Sequence, residues 1–229
     1  MGGSAGRPWS TTKGIRVLLP DPTSSARKAS SQVPSSPEVV TNGRPLAPEA
    51  LRRLGCEQLA DGMTVFALPH FPDDRGSLTE ICRGSWLGEV APVQWNCVRS
   101  KADVMRGMHV HLRYYEYYAV MSGSLMVGFQ DTREGSPTLG LTGVFTVRAE
   151  DRLAVSAAPG IVHGLYFPDE TILLAGAGHY FNLENELGCH WKDPALNIAW
   201  PFTEAIVSAR DDAHPLLAEI QPSIPRWGL

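Results

Sequence analysis

The side chains best equipped for chemistry stand close together in this sequence. They are His109, His111 and Glu116 in Gly107-Met108-His109-Val110-His111-Leu112-Arg113-Tyr114-Tyr115-Glu116, followed by Gly123, and His163 in Pro159-Gly160-Ile161-Val162-His163-Gly164. In an extended strand residues i and i+2 point to the same side, so His109 and His111 share a face. Paired imidazoles favour a divalent metal; a turn after Leu112 can return Glu116 to the same pocket, and a later strand can supply His163. Such nitrogen and oxygen donors suit Fe, Mn, Ni, Zn or Cu alike. Without a metal the same groups serve as acids and bases near neutral pH, or as hydrogen-bonded core residues.

Positioning these groups falls to short apolar, β-branched or aromatic runs broken by turn residues. Strands are predicted at Met63–Leu68, Gln94–Arg99, Tyr117–Met121, Leu125–Phe129, Gly143–Val147, Leu153–Val155 and Ile172–Gly176. Turn signals separate them, among them Asp73-Asp74-Arg75-Gly76, Ser122-Gly123-Ser124 and Ala158-Pro159-Gly160. Many short strands at this spacing indicate an all-β sandwich or closed barrel. A short helix is expected over Leu46–Leu59, where Leu51, Leu54 and Leu59 recur near helical spacing after Pro45 and Pro48. The segment after Asp193, with Pro194, Pro201 and Pro215, reads as a strap over the barrel with one helical turn.

The totals narrow the function. A chain of 229 residues that is 43% hydrophobic has room for one well-buried core. Residues 1–45 are expected to be a disordered or extended tail and residues 46–229 the folded domain. The first 36 residues are rich in Ser, Gly and basic side chains, a composition shared with organelle transit peptides but read here as a tail. A net charge of -4 provides no basic field for a nucleic acid partner. No run approaches the ~20 apolar residues of a membrane-spanning helix, and the early run Val17-Leu18-Leu19 is too short for a signal peptide. Cys56, Cys82, Cys97 and Cys189 lack metal-binding or disulfide-scaffold spacing and read as reduced thiols of a cytoplasmic protein.

The spacing His109-x-His111, four residues, Glu116, six residues, Gly123 resembles the first motif of the cupin superfamily. Gly160 and His163 match part of its second motif, with Ala158 and Phe167 in place of the motif's Pro and Asn. The resemblance implies a cupin-type jelly-roll barrel or sandwich with short flanking helices, whose metal ligands would be His109, His111, Glu116 and His163.

A longer resemblance runs from about Thr64 to Pro215. The pieces Phe71-x-Asp73-x-Arg75-Gly76-x-Leu78-x-Glu80, Gln94-x-Asn96-x-x-x-Ser100, Arg106-Gly107-Met108-His109, Asp131-x-Arg133-x-Gly135-Ser136-Pro137, His163-Gly164, Trp191-x-Asp193-Pro194 and Ser208-Ala209-Arg210-Asp211 are similar to the dTDP-4-dehydrorhamnose 3,5-epimerase family. Membership implies a homodimer acting on a dTDP-linked 4-keto-6-deoxyhexose, with no cofactor required. A general base removes a proton α to the C4 ketone, the enolate is held, and a proton returns from the opposite face. The resemblance assigns the base to His109, oriented by Asp211, and substrate binding to Arg75, Glu80, Gln94, Asn96, Arg106 and His163.

Two positions depart from the family. Glu116 stands where the family has a lysine that steadies the enolate, and Ala175 where it has a tyrosine acid. The first change completes the cupin ligand set, so a divalent metal (Fe, Mn, Ni or Zn) on that set could polarise the ketone instead. A metal-dependent cupin enzyme of dioxygenase or lyase type is thus the alternative. Arg106-Gly107-x-His109-x-His111 also resembles the nucleotide-sugar 3,4-ketoisomerases, and a non-catalytic sugar-nucleotide binder is a further alternative.

Overall fold

The structure, a computed structural model, describes residues 46–87, 91–182 and 186–228. The tail expected over residues 1–45 lies outside this range. The expected helix forms as α1 (Pro48–Arg53) and stops early, because Gly55 takes φ +96°, a left-handed conformation that ends a helical run.

Two sheets carry the fold. One is ordered β1 (Met63–Ala67), β9 (Leu153–Ala157), β6 (Glu116–Ser122), β11 (Thr171–Ala177) and β4 (Gln94–Ser100). The other is ordered β12 (Glu186–Gly188), β5 (Val104–His111), β10 (Ile161–Phe167), β7 (Ser124–Asp131) and β8 (Thr142–Arg148), with β13 (Ile206–Val207) parallel to the start of β5. A separate hairpin pairs β2 (His70–Asp73) with β3 (Gly76–Thr79). This is the expected all-β jelly roll, and all seven predicted strands are present.

Alternation along each strand decides what faces inward. Val65, Tyr118, Val120, Val155 and Leu173 from the first sheet meet Leu125, Val127, Phe129, Phe145 and Phe167 from the second in the main core. The outer face of the second sheet is covered too: Met105, Met108, Val110 and Val162 pack under a C-terminal strap carrying Trp191, Leu196, Leu217 and Ile220. The strap holds a short turn at Pro194–Leu196 and two one-turn helices, α3 (Ala209–Asp212) and α4 (Leu217–Ile220). With both faces covered, every residue of β10 is buried. Residues 81–87, including α2 (Gly84–Leu87), place Ile81, Cys82 and Trp86 against the outer face of the first sheet.

Two glycines set the geometry near the histidines. Gly123 turns β6 into β7 at φ +79°, and a Cβ there would lie 2.5 Å from the Glu170 carbonyl oxygen. Gly107, at φ +132°, lets β5 approach β10 so closely that a Cβ would meet Gly164 Cα at 2.8 Å. The register between the two strands shifts at this point, between His163 and Leu165.

Candidate active site

His109 and His163 are direct partners across the β5/β10 ladder, and His111 follows His109 on the same face. Across the interior, β6 contributes Glu116 and Tyr118. Glu116 Oε2 lies 2.7 Å from His111 Nε2 and 3.0 Å from His163 Nε2, and Tyr118 donates its hydroxyl hydrogen to the same oxygen. These donor atoms of His111, Glu116 and His163 lie within 4.8 Å of one another. Burial opposes ionisation of Glu116, but the adjoining His111 and His163 overcome it and hold the carboxyl far below its usual range. Burial likewise disfavours charge on His111, yet the Glu116 carboxylate raises its pKa overall.

The tautomer of His163 shows how the trio is balanced. Its Nδ1 donates to the Ile161 carbonyl oxygen at 3.1 Å, because a carbonyl oxygen only accepts. Its Nε2 then meets both the Tyr118 hydroxyl and Glu116 Oε2 at 3.0 Å: a neutral ring accepts from the hydroxyl, and a bound cation would bridge the ring and the carboxylate. His111 Nε2 meets the same carboxylate at 2.7 Å, while its buried Nδ1 has no hydrogen-bonding partner.

His109 is oriented differently from the other two histidines. Its Nε2 is 3.1 Å from Asp211 Oδ1, while Asp211 Oδ2 accepts from the Gly107 backbone N–H at 3.3 Å. Asp211 arrives on α3, capped by Ser208, whose hydroxyl accepts from the Asp211 N–H at 3.0 Å. Burial works against its charge, and hydrogen bonds from His109 and Gly107 with nearby Arg210 outweigh it, leaving the carboxyl well below the ordinary range. A carboxylate so held accepts the Nε2 proton and fixes the imidazole tautomer that leaves Nδ1 basic. His214 lies beside the pair, its ring 5.8 Å from that of His109, and burial lowers its pKa. Val104, Arg106, His109, Ser208, Arg210 and Asp211 line a cavity of about 390 Å³.

Gln94 and Asn96 also face this interior. Gln94 lies in one cross-strand row with Ala177 and Glu116, and Asn96 in the next with Ala175 and Tyr118. Gln94 accepts from the Phe181 N–H at 3.0 Å and donates to Asn96 at 3.2 Å. Arg75 and Glu80 are placed elsewhere, on the hairpin and just after it: Arg75 pairs with Asp73 at 2.6 Å and Glu80 with Arg83 at 2.5 Å. Of the four expected metal ligands the structure gathers three, and His109 Nε2 is taken up by Asp211. Sequence reasoning passed over Tyr118, Tyr114, Glu186 and Arg210. Tyr114 donates to Glu186 Oε1 at 3.1 Å, and Glu186 Oε2 lies 3.6 Å from Arg210. The available signal was the adjacency of Arg210 to Asp211.

Residues 58–219 match the sequence profile of dTDP-4-dehydrorhamnose 3,5-epimerase. A protein of that name from Neisseria gonorrhoeae is 32% identical over 165 residues, covering 69% of this chain and half of its own length. Among solved structures, the 4-keto-6-deoxy sugar epimerase NovW from Streptomyces spheroides superposes with a TM-score of 0.68 at 26% identity, over 74% of this chain and 91% of its own. The dTDP-6-deoxy-D-glucose-3,5-epimerase of Legionella pneumophila, solved with dTDP-4-keto-L-rhamnose, gives 0.67 at 27% identity over 75% and 97%. With the profile spanning most of a jelly roll that places an imidazole on a buried carboxylate, the chain belongs to the dTDP-4-dehydrorhamnose 3,5-epimerase family.

Proposed function

We propose that this protein epimerises a dTDP-linked 4-keto-6-deoxyhexose at C3, C5 or both. The observation that carries the reading is the contact of His109 with Asp211 at 3.1 Å on the wall of a cavity large enough for a hexose. His109 removes the proton α to the ketone, Asp211 steadies the imidazolium that forms, and no cofactor is required. Arg106, on the same cavity, grips the diphosphate, where a planar guanidinium suits bidentate contact. Gln94, Asn96 and His163 contact the substrate from the interior rows, and Arg75 and Glu80 from the hairpin side.

The active unit in this reading is a homodimer. One edge of the first sheet is β4, where Trp95 is exposed, with Val93 just before it; Phe71, Leu78, Tyr180 and Phe181 are exposed as well. An edge strand presents unpaired N–H and C=O groups that can pair with another chain, and these exposed apolar side chains give such a contact something to bury. Its free cysteines support a cytoplasmic location, and no helix among the described residues is long and apolar enough to cross a membrane.

A second reading rests on the gathering of His111, Glu116 and His163 donor atoms within 4.8 Å of one another. His111, Glu116 and His163 fit a divalent ion such as Fe, Mn, Ni or Zn, which would act there as a Lewis acid on the ketone. His109, held by Asp211, is free of that duty.

Solvent deuterium wash-in at C3 and C5 of dTDP-4-keto-6-deoxyglucose tests the epimerase reading. His109→Asn should abolish it, and full exchange in that variant would refute the assignment. Elemental analysis before and after chelation tests the second reading: stoichiometric metal, lost together with exchange, would establish it.

A further inference from the structure

Removing a proton beside a ketone builds negative charge on the carbonyl oxygen, and a site that lowers this barrier aims a cation or fixed donors at that oxygen. The trio is poorly suited, since it sets the Glu116 carboxylate against His111 and His163 within the interior. Arg210 is placed differently. Its side chain is 47% exposed and lines the same cavity as His109. Nε donates to Asp211 Oδ1 at 3.2 Å, Nη1 lies 3.6 Å from Glu186 Oε2, and Nη2 lies 3.1 Å from His109 Nε2.

The last contact is the informative one. When His109 acts as a base at Nδ1, Nε2 keeps its hydrogen, donates it in a hydrogen bond to Asp211 and cannot accept one from Arg210. The Nη2 donors then stand next to the base, on the cavity wall, with no acceptor in the imidazole. The guanidinium is also kept from swinging away, because Glu186 is anchored in turn by the Tyr114 hydroxyl at 3.1 Å. A planar fork held on two sides keeps its remaining donors aimed in one direction.

We propose that Arg210 is a catalytic residue that stabilises the enolate oxygen formed when His109 takes the proton, with Glu186 and Tyr114 as its positioning residues. The inference rests on the reading of His109 as the base. It assigns the positive charge of the reaction to a segment after β13, far in sequence from position 116, and it gives the Glu186 carboxylate a purpose.

The test is steady-state kinetics and deuterium wash-in on dTDP-4-keto-6-deoxyglucose with the full chain and the variants Arg210→Gln, Arg210→Lys and Glu186→Gln. Arg210→Gln should lower kcat about 10²-fold, the usual effect of deleting one donor to an oxyanion, with KM changed less than about threefold. Arg210→Lys, which keeps the charge, should recover about a tenth or more of the wild-type kcat. Glu186→Gln should lower kcat by a smaller factor with KM again nearly constant. A rise in KM at unchanged kcat in Arg210→Gln would overturn the assignment and make this residue a phosphate grip. Absence of wash-in by the wild-type protein would overturn the base assignment and this inference together, whereas wild-type wash-in that Arg210→Gln retains in full would overturn this inference alone.

Discussion

His109 and His163 are cross-strand partners, yet their Nε2 atoms serve different carboxylates: His109 faces Asp211 from the C-terminal strap, and His163 faces Glu116 from the opposite sheet. One inner wall therefore carries two groupings, a dyad on the cavity and a trio within the barrel, with Glu186 between Arg210 and His111.

Asp211→Asn separates the dyad from the trio. An amide cannot both accept from Nε2 and stabilise an imidazolium, so deuterium wash-in should fall by about 10²–10⁴-fold, the range for losing acid–base assistance. A loss of wash-in below tenfold would contradict the role of Asp211.

Glu116→Gln addresses the trio. Removing one partner of a buried charged cluster costs about 3 kcal/mol of unfolding free energy. The pH dependence has a definite sign. The depressed Glu116 contributes above the ordinary carboxylate pKa of ~4.3 and loses its contribution as pH falls through its lower folded value. The raised His111 contributes fully below ~6.5 and loses its contribution as pH rises through its higher folded value. Urea unfolding in chelator should thus show wild-type stability declining on the alkaline side of ~6.5, and Glu116→Gln should flatten that decline.

Asp131 sets the acid limit of the barrel. Burial opposes its charge, but it accepts from Arg133 Nε and Nη2 at 2.9 Å and from the Ser136 and Thr138 hydroxyls at 2.6 Å, which lower its pKa to about 2. A folded pKa below the unfolded one means stability that is complete above pH ~4 and is lost as pH falls toward 2, an effect of about 2 kcal/mol. In Asp131→Asn that acid-induced loss should shrink, while stability at neutral pH drops by about 3 kcal/mol because buried Arg133 is left unpaired. Thermal melts between pH 3 and 7 decide the point.

Trp95→Asp probes the exposed edge. A charge on an edge strand blocks pairing with a second chain, so the variant should elute and scatter as a monomer where the wild type is a dimer. A wild-type monomer in light scattering would remove the basis for the dimer.

The legible part of the fold was the part written as apolar, β-branched or aromatic runs between turn residues. The predicted strands from Met63 to Gly176 are such runs, and each lies within a residue or two of its observed bounds. The two central strands gave no such pattern. Ile161–Phe167 is buried on both faces, and Val104–His111 is broken by Gly107, so they were placed only through the histidines they carry. The same limit applies to the site. Alternation put His109 and His111 on one face, but the separation of His109 from the trio depends on Asp211, brought in by the short parallel pairing of Ile206–Val207 with Val104–Met105. Nothing local in the sequence records that pairing, and Arg210 was hidden for the same reason.

That late pairing also sets an order of events during synthesis. His109 and Asp211 are 102 positions apart in the chain. A ribosome adding about 5–20 residues per second delivers the carboxylate roughly 5–20 s after the imidazole. The barrel strands through Ala177 have by then all been made, so a nascent chain can form the histidine wall before the carboxylate that orients His109 exists. If His109 is the base as proposed, turnover waits for the strap, and activity would report that the Asp211 segment has been translated and docked.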